Sequence, residues 1–142
     1  MIDFTDPTQP VSEHFTVKDC LWLNTWGRLA NDSDGLTDDL CNELIKTCAM
    51  AEQIRLLLNC PMRVTSMYRP PSYSPIVGGS ATDIHTQAKA IDFVPIGISI
   101  QDAKQILIPK LHDLNCRLER GTTDWIHADS RLPGPSGRYF TP

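Results

Sequence analysis

The chain has no run of the roughly 20 apolar residues needed to cross a bilayer, so no membrane-spanning segment and no membrane partner are expected. Its first residues, Met1-Ile2-Asp3-Phe4-Thr5-Asp6-Pro7, have neither the basic stretch nor the apolar stretch of a secretory signal. The expectation is synthesis in the cytoplasm, with any later movement by a route other than a cleavable signal. Lys and Arg form no cluster and the formal net charge is −4, which argues against nucleic acid as a partner, because phosphate binding needs a concentrated positive face. Five cysteines are an odd number and include no C-x-x-C pair. That argues against both a complete disulfide framework and a cysteine zinc knuckle, and leaves them as small buried apolar residues. Repeats, low-complexity blocks and interdomain linkers are also lacking. What remains is 142 residues, 41% hydrophobic and 21% charged, read as one domain able to bury its own core.

Residues 1–11 are polar with two prolines and are expected to form an extended arm. Thr16 and Asp19 have the spacing of a capping box opening a short helix within Phe15–Leu23. The stretch 31–35 reads as a loop; its two Asp suggest calcium, but the rest of an EF-hand's spacing is missing. Thr37 caps the longest helix, in which Leu40, Cys41, Leu44, Ile45, Cys48, Ala51, Ile54 and Leu58 make an apolar stripe. Met62–Met67 alternates and is β-rich. Residues 69–83, with three prolines and two adjacent glycines, form a long loop of the kind that often carries function. Ala88–Val94 reads as a buried strand, Ser99 and Asp102 open a helix that Pro109 is expected to kink or divide, and Cys116–Glu119 and Trp125–Ala128 suggest two more strands. The Pro/Gly-rich end, residues 131–142, is expected to be irregular.

Histidine is scarce, and two of the four, His85 and His127, stand in stretches that suit a metal. Asp92 follows His85 by seven residues, inside an apolar strand beside Ala90, Ile91, Phe93 and Val94. A carboxylate there is expensive to bury alone and needs a cation or strong donors. In Asp124-Trp125-Ile126-His127-Ala128-Asp129, alternation sets Trp125, His127 and Asp129 on one face. Two imidazoles and one carboxylate make a three-ligand set for zinc, with a fourth position left for water. Asp124, three residues before His127, is the candidate for a carboxylate that takes a proton from that water. Arg69, after Tyr68, could stabilise an oxyanion or hold a substrate carboxylate. Taken singly, each residue has an ordinary structural explanation: Asp124 could cap a turn, Arg69 could be an ion-pair partner, and Trp125 is better read as core than as a substrate platform. His14 and His112 have no convergent partner and are left as ordinary residues.

The pieces in order are Ser66-Met67-Tyr68-Arg69, Val77-Gly78-Gly79, His85 with Asp92, and Asp124 with His127. Together they resemble the LAS group of zinc peptidases, which includes D-alanyl-D-alanine carboxypeptidases and the L-alanyl-D-glutamate endopeptidases of phage endolysins. The segment Ser12–Thr16 also resembles the opening of phage members, so the likeness spans about residues 11–130. It implies zinc held by His85, Asp92 and His127, Asp124 as catalytic base, and Arg69 polarising the scissile carbonyl. It implies an α+β fold, a small antiparallel sheet with helices packed on one side, as in hedgehog domains. The expected whole is a single peptidase domain over 1–142, acting on the stem peptide of peptidoglycan after release or as part of a phage particle. Virion contacts or a second copy are further expected partners, and a virion accessory protein retaining the fold with little turnover is the alternative. Two departures stand out: Asp83 where the family has Ser, and Ala88 where it has Gly, a residue that permits backbone angles alanine resists. Asp83 either supports a ligand or competes for a ligand position.

Overall fold

The computed structural model describes residues 1–142. The first eleven residues do not form an extended arm. They fold into consecutive turns in which the Asp3 and Asp6 carboxylates accept from the backbone N–H of Thr5 and Thr8 at 2.9 Å. This brings Ile2, Phe4 and Val11 against the core, and that burial makes the turns worthwhile. Helix α1 (Val17–Leu21) begins at Thr16 with the expected reciprocal bonds to Asp19. It ends earlier than expected because Trp22 turns extended, and β1 (Trp22–Leu23) pairs with β2 (Arg28–Leu29).

Helix α2 (Asp38–Leu58) starts where Thr37 Oγ1 accepts from the Leu40 N–H, and it stops at Asn59 in the left-handed conformation. It buries Leu44, Thr47, Cys48, Ala51, Ile54 and Leu58, close to the stripe legible in its sequence. Strand β3 (Met62–Ser66) follows Pro61, and β4 (Ala90–Pro95) follows the long loop. Ser99 caps α3 (Ile100–Leu107), and Pro109 then forces a single 3₁₀ turn before α4 (Leu111–Leu114). Strands β5 (Arg117–Glu119), β6 (Ile126–Asp129) and β7 (Tyr139–Phe140) complete the chain. No helix is long and apolar enough to cross a membrane.

The main sheet has the order β3-β4-β6-β5-β7, and its first four strands are antiparallel. The tail expected to be irregular supplies the fifth, with β7 lying parallel to β5. The fold is thus α+β. One face of the sheet carries Ile91, Phe93, Leu118, Ile126 and Ala128 into a core shared with Leu44, Cys48 and Ile54 of α2 and Ala103 and Leu107 of α3. Each fully buried Leu, Ile or Phe of that core contributes about 1.5–3 kcal/mol. Since strand side chains alternate, the residues between them, Asp92, Arg117, His127 and Asp129, occupy the opposite face.

Candidate metal centre

Antiparallel pairing places Asp92 of β4 directly opposite His127 of β6. His85 arrives from the 3₁₀ turn Ile84–Gln87 that leads into β4. The turn is capped by Asp83, whose Oδ1 accepts from the His85 N–H at 2.8 Å. It closes on Ala88 at φ 60°, a left-handed conformation that costs a non-glycine residue about 1–2 kcal/mol. The departure from Gly is therefore accommodated with strain, and the Ala88 methyl is fully buried.

Donor atoms of His85, Asp92 and His127 all lie within 4.8 Å of one another, and all three residues are buried. His85 Nδ1 donates to the Met67 carbonyl at 2.8 Å, which leaves Nε2 bare, 3.3 Å from Asp92 Oδ2. His127 Nδ1 lies 2.8 Å from Asp92 Oδ1, and its Nε2 faces Asp129 Oδ2 at 2.9 Å. The two imidazoles meet edge to face at 5.2 Å between centroids. Tetrahedral zinc ligands at about 2.0–2.1 Å from the metal stand roughly 3.3 Å apart, so this nitrogen–nitrogen–carboxylate set, within 4.8 Å throughout, fits such an ion once its donors draw together.

Burial alone would raise the Asp92 carboxyl's pKa. Hydrogen bonds from His127 and His85, with their charges, hold it well below the usual carboxylate range instead. Burial likewise opposes charge on His127, but the bonds to Asp129 and Asp92 outweigh it and raise its pKa to about 9. Asp129, between His127 and Arg117, is held far below the ordinary range against its burial. A cation held by His85, Asp92 and His127 would have to take the place of any proton on His127 Nδ1, the nitrogen that faces Asp92.

Arg69 reaches the same cluster. Its Nε donates to Ser66 Oγ at 2.8 Å and one terminal nitrogen donates to Asp92 Oδ2 at 2.9 Å. The other lies 3.6 Å from Asp83 Oδ2. Tyr68, between them in sequence, points into the core. Asp83 therefore neither joins the three-donor set nor contacts His127; it caps the turn, pairs with Arg69 and accepts from Ser74 and from the Ser80 N–H. A Cβ at Gly79 would run into Asp83 Oδ2 and Ser74 Oγ, so a side chain there would have to displace the Ser74–Asp83 hydrogen bond. Asp124 lies in the loop before β6, exposed, with no hydrogen bond or ion pair. Trp125 is 39% exposed, contrary to its reading as core, because β6 starts one residue later. His14 has a partner after all: its ring bonds Glu52 at 2.7 Å and ties the N-terminal turns to α2. His112 is exposed.

The residues outside the expected set are Asp129, Arg117 and Phe140. Asp129 was legible as a polar residue two positions after His127 on the same face; the other two carried no sequence signal. A family model described as Peptidase M15 matches residues 14–129, most of the chain and every residue from Arg69 to His127 discussed above. The chain belongs to the Peptidase M15 family. Peptidases of this family are zinc enzymes, so membership and the three converging donors agree in supporting a metallopeptidase. No curated protein and no solved structure matches the chain.

Proposed function

We propose that this M15 peptidase hydrolyses an amide bond in the stem peptide of bacterial peptidoglycan, as a zinc enzyme of the phage L-alanyl-D-glutamate endopeptidase type. The observation that carries the reading is the convergence of His85 Nε2, His127 Nδ1 and the Asp92 carboxylate, three donors with a position to spare. Zinc bound there would supply Lewis acidity and lower the pKa of a coordinated water toward ~7.

The remaining roles fall to the chain's own groups. Asp124 is exposed and unpaired, so its carboxylate is available to accept the proton of an attacking water. Arg69 is committed on two of its nitrogens to Ser66 and Asp92. The third, in a long ion pair with Asp83, is the donor left to polarise a scissile carbonyl. The enzyme would act on the wall after release from the producing cell or as part of a phage particle.

A second reading, a virion accessory protein with the fold and little turnover, draws on one observation: Arg69 is already paired with two carboxylates. Metal analysis together with mass spectrometry of digested peptidoglycan separates the two. One zinc per chain and newly exposed N-terminal D-glutamate support the endopeptidase, with turnover falling roughly 10²–10⁴-fold in Asp124→Ala. A zinc-loaded parent inert on purified peptidoglycan would sink it in favour of the second reading.

A further inference from the structure

His85 and His127 are oriented by different means. The Nδ1 of His85 is bound by a backbone carbonyl, that of Met67, which no substitution removes. The Nε2 of His127 is bound by a side-chain carboxylate, Asp129 Oδ2, at 2.9 Å. Asp129 has 0% exposure and is surrounded by donors. Arg117 Nε and a terminal nitrogen reach its two oxygens at 2.9 and 3.0 Å, a bidentate clamp set by the Arg117–Asp129 register of β5 and β6. The Arg131 N–H adds a bond at 3.1 Å and its guanidinium lies 3.5 Å away. Phe140 of β7 then covers the clamp, its ring 3.8 Å from the Arg117 guanidinium carbon and 6.0 Å between centroids from the His127 imidazole.

We propose that Asp129, clamped by Arg117 beneath Phe140, is the positioning residue that turns the Nδ1 lone pair of His127 toward Asp92 and His85. The inference rests on the zinc reading above and goes beyond its three ligands. A neutral imidazole carries one proton, and a carboxylate fixed at Nε2 keeps it there, so Nδ1 is the nitrogen free to bind a cation. The same carboxylate increases the ring's basicity as a ligand, and the clamp removes the rotational freedom the ring would otherwise lose on binding. The outer layer also draws on chain beyond the family match, because β7 lies after residue 129. The C-terminal strand thereby becomes part of the metal centre.

The test is zinc affinity of the purified full chain, measured by competition with a chromophoric chelator, alongside the visible spectrum of the cobalt(II)-substituted protein. Asp129→Asn keeps the shape and an acceptor but loses the charge, and is expected to bind zinc roughly tenfold more weakly. Asp129→Ala loses the acceptor as well and is expected to approach a hundredfold, with a changed cobalt spectrum as the ring reorients. Phe140→Ala, which removes no bond to His127, is expected to weaken binding by a few-fold. Should Asp129→Ala fail to fold, as circular dichroism of the metal-free protein will tell, the Asn variant alone decides. Wild-type affinity and an unchanged cobalt spectrum in the Asn variant overturn the proposal while leaving the zinc site intact. A wild-type chain that takes up no zinc overturns both readings together.

Discussion

The two faces of the main sheet are built from the same strands and are both buried, yet they are held by different physics. On the helix-covered face, Ile91, Phe93, Leu118, Ile126 and Ala128 are each fully buried and need no particular partner, only apolar neighbours. One position along, Asp92, Arg117, His127 and Asp129 are between 0% and 8% exposed, and each depends on a specific partner at hydrogen-bond distance. Area stabilises the first face, and a gap there costs in proportion to its size. The second is a set of charges that balance only while all are present, since an orphaned buried charge costs more than the pair is worth. The polar face is therefore the one that can discriminate between bound and unbound states. A cation can insert between His85, Asp92 and His127 because their donors are already oriented toward each other.

Breaking each face separately tests this contrast. Asp92→Ala has the largest expected effect: zinc binding is abolished, and His127 and Arg69 lose a shared partner at a cost of about 3–5 kcal/mol. Metal analysis and urea unfolding of the metal-free protein read both losses. Phe93→Ala, its neighbour on the other face, should cost a similar 3–5 kcal/mol of stability. Here the folded protein should still take up one zinc, and a loss of stoichiometry would show that the faces are not independent.

Next in size is the dependence on pH of the metal-free protein. The Asp92 and Asp129 carboxyls are depressed by their partners. Their contribution is present above the ordinary carboxylate range near 4 and is lost as pH falls below it. His127 is raised from 6.5 to about 9, so its contribution is full below 6.5 and is lost as pH rises through about 9. Thermal midpoints from pH 3 to 10 should thus fall on both sides, and Phe93→Ala should lower the curve without altering its shape. The smallest effect is expected for Ala88→Gly. Release of the left-handed strain is offset by the lost buried methyl, so stability should change by less than about 1 kcal/mol. A larger gain would mean the turn bearing His85 is more strained than its angles indicate.

Much of this was legible along the chain. The α2 stripe, the caps at Thr16, Thr37 and Ser99, and the break at Pro109 are local effects, written within four residues of where they act. His85, Asp92 and His127, whose donors the fold brings together, stood out in the sequence less by their own spacing than by the order of the motifs around them and the family those motifs resemble. Other features were out of reach for a common reason. Arg117 is twelve residues from Asp129 and Phe140 comes from a strand with only two residues, too short to carry a period. Asp83 bears a charge whose partner, Arg69, is brought near by the folding of the intervening loop.

The sequence by itself determined the long elements with their caps, which residues could ligate a metal and which family the motifs resemble, but not the N-terminal turns, the β1–β2 pair or β7. Tertiary structure alone decided which nitrogen of each histidine is free, how Arg69 is spent, and that Asp129, Arg117 and Phe140 form one layer behind the site. The physical reason is register. Alternation assigns each strand residue to a face, but only the pairing of β4 with β6, β6 with β5 and β5 with β7 decides which polar residues on that face are neighbours.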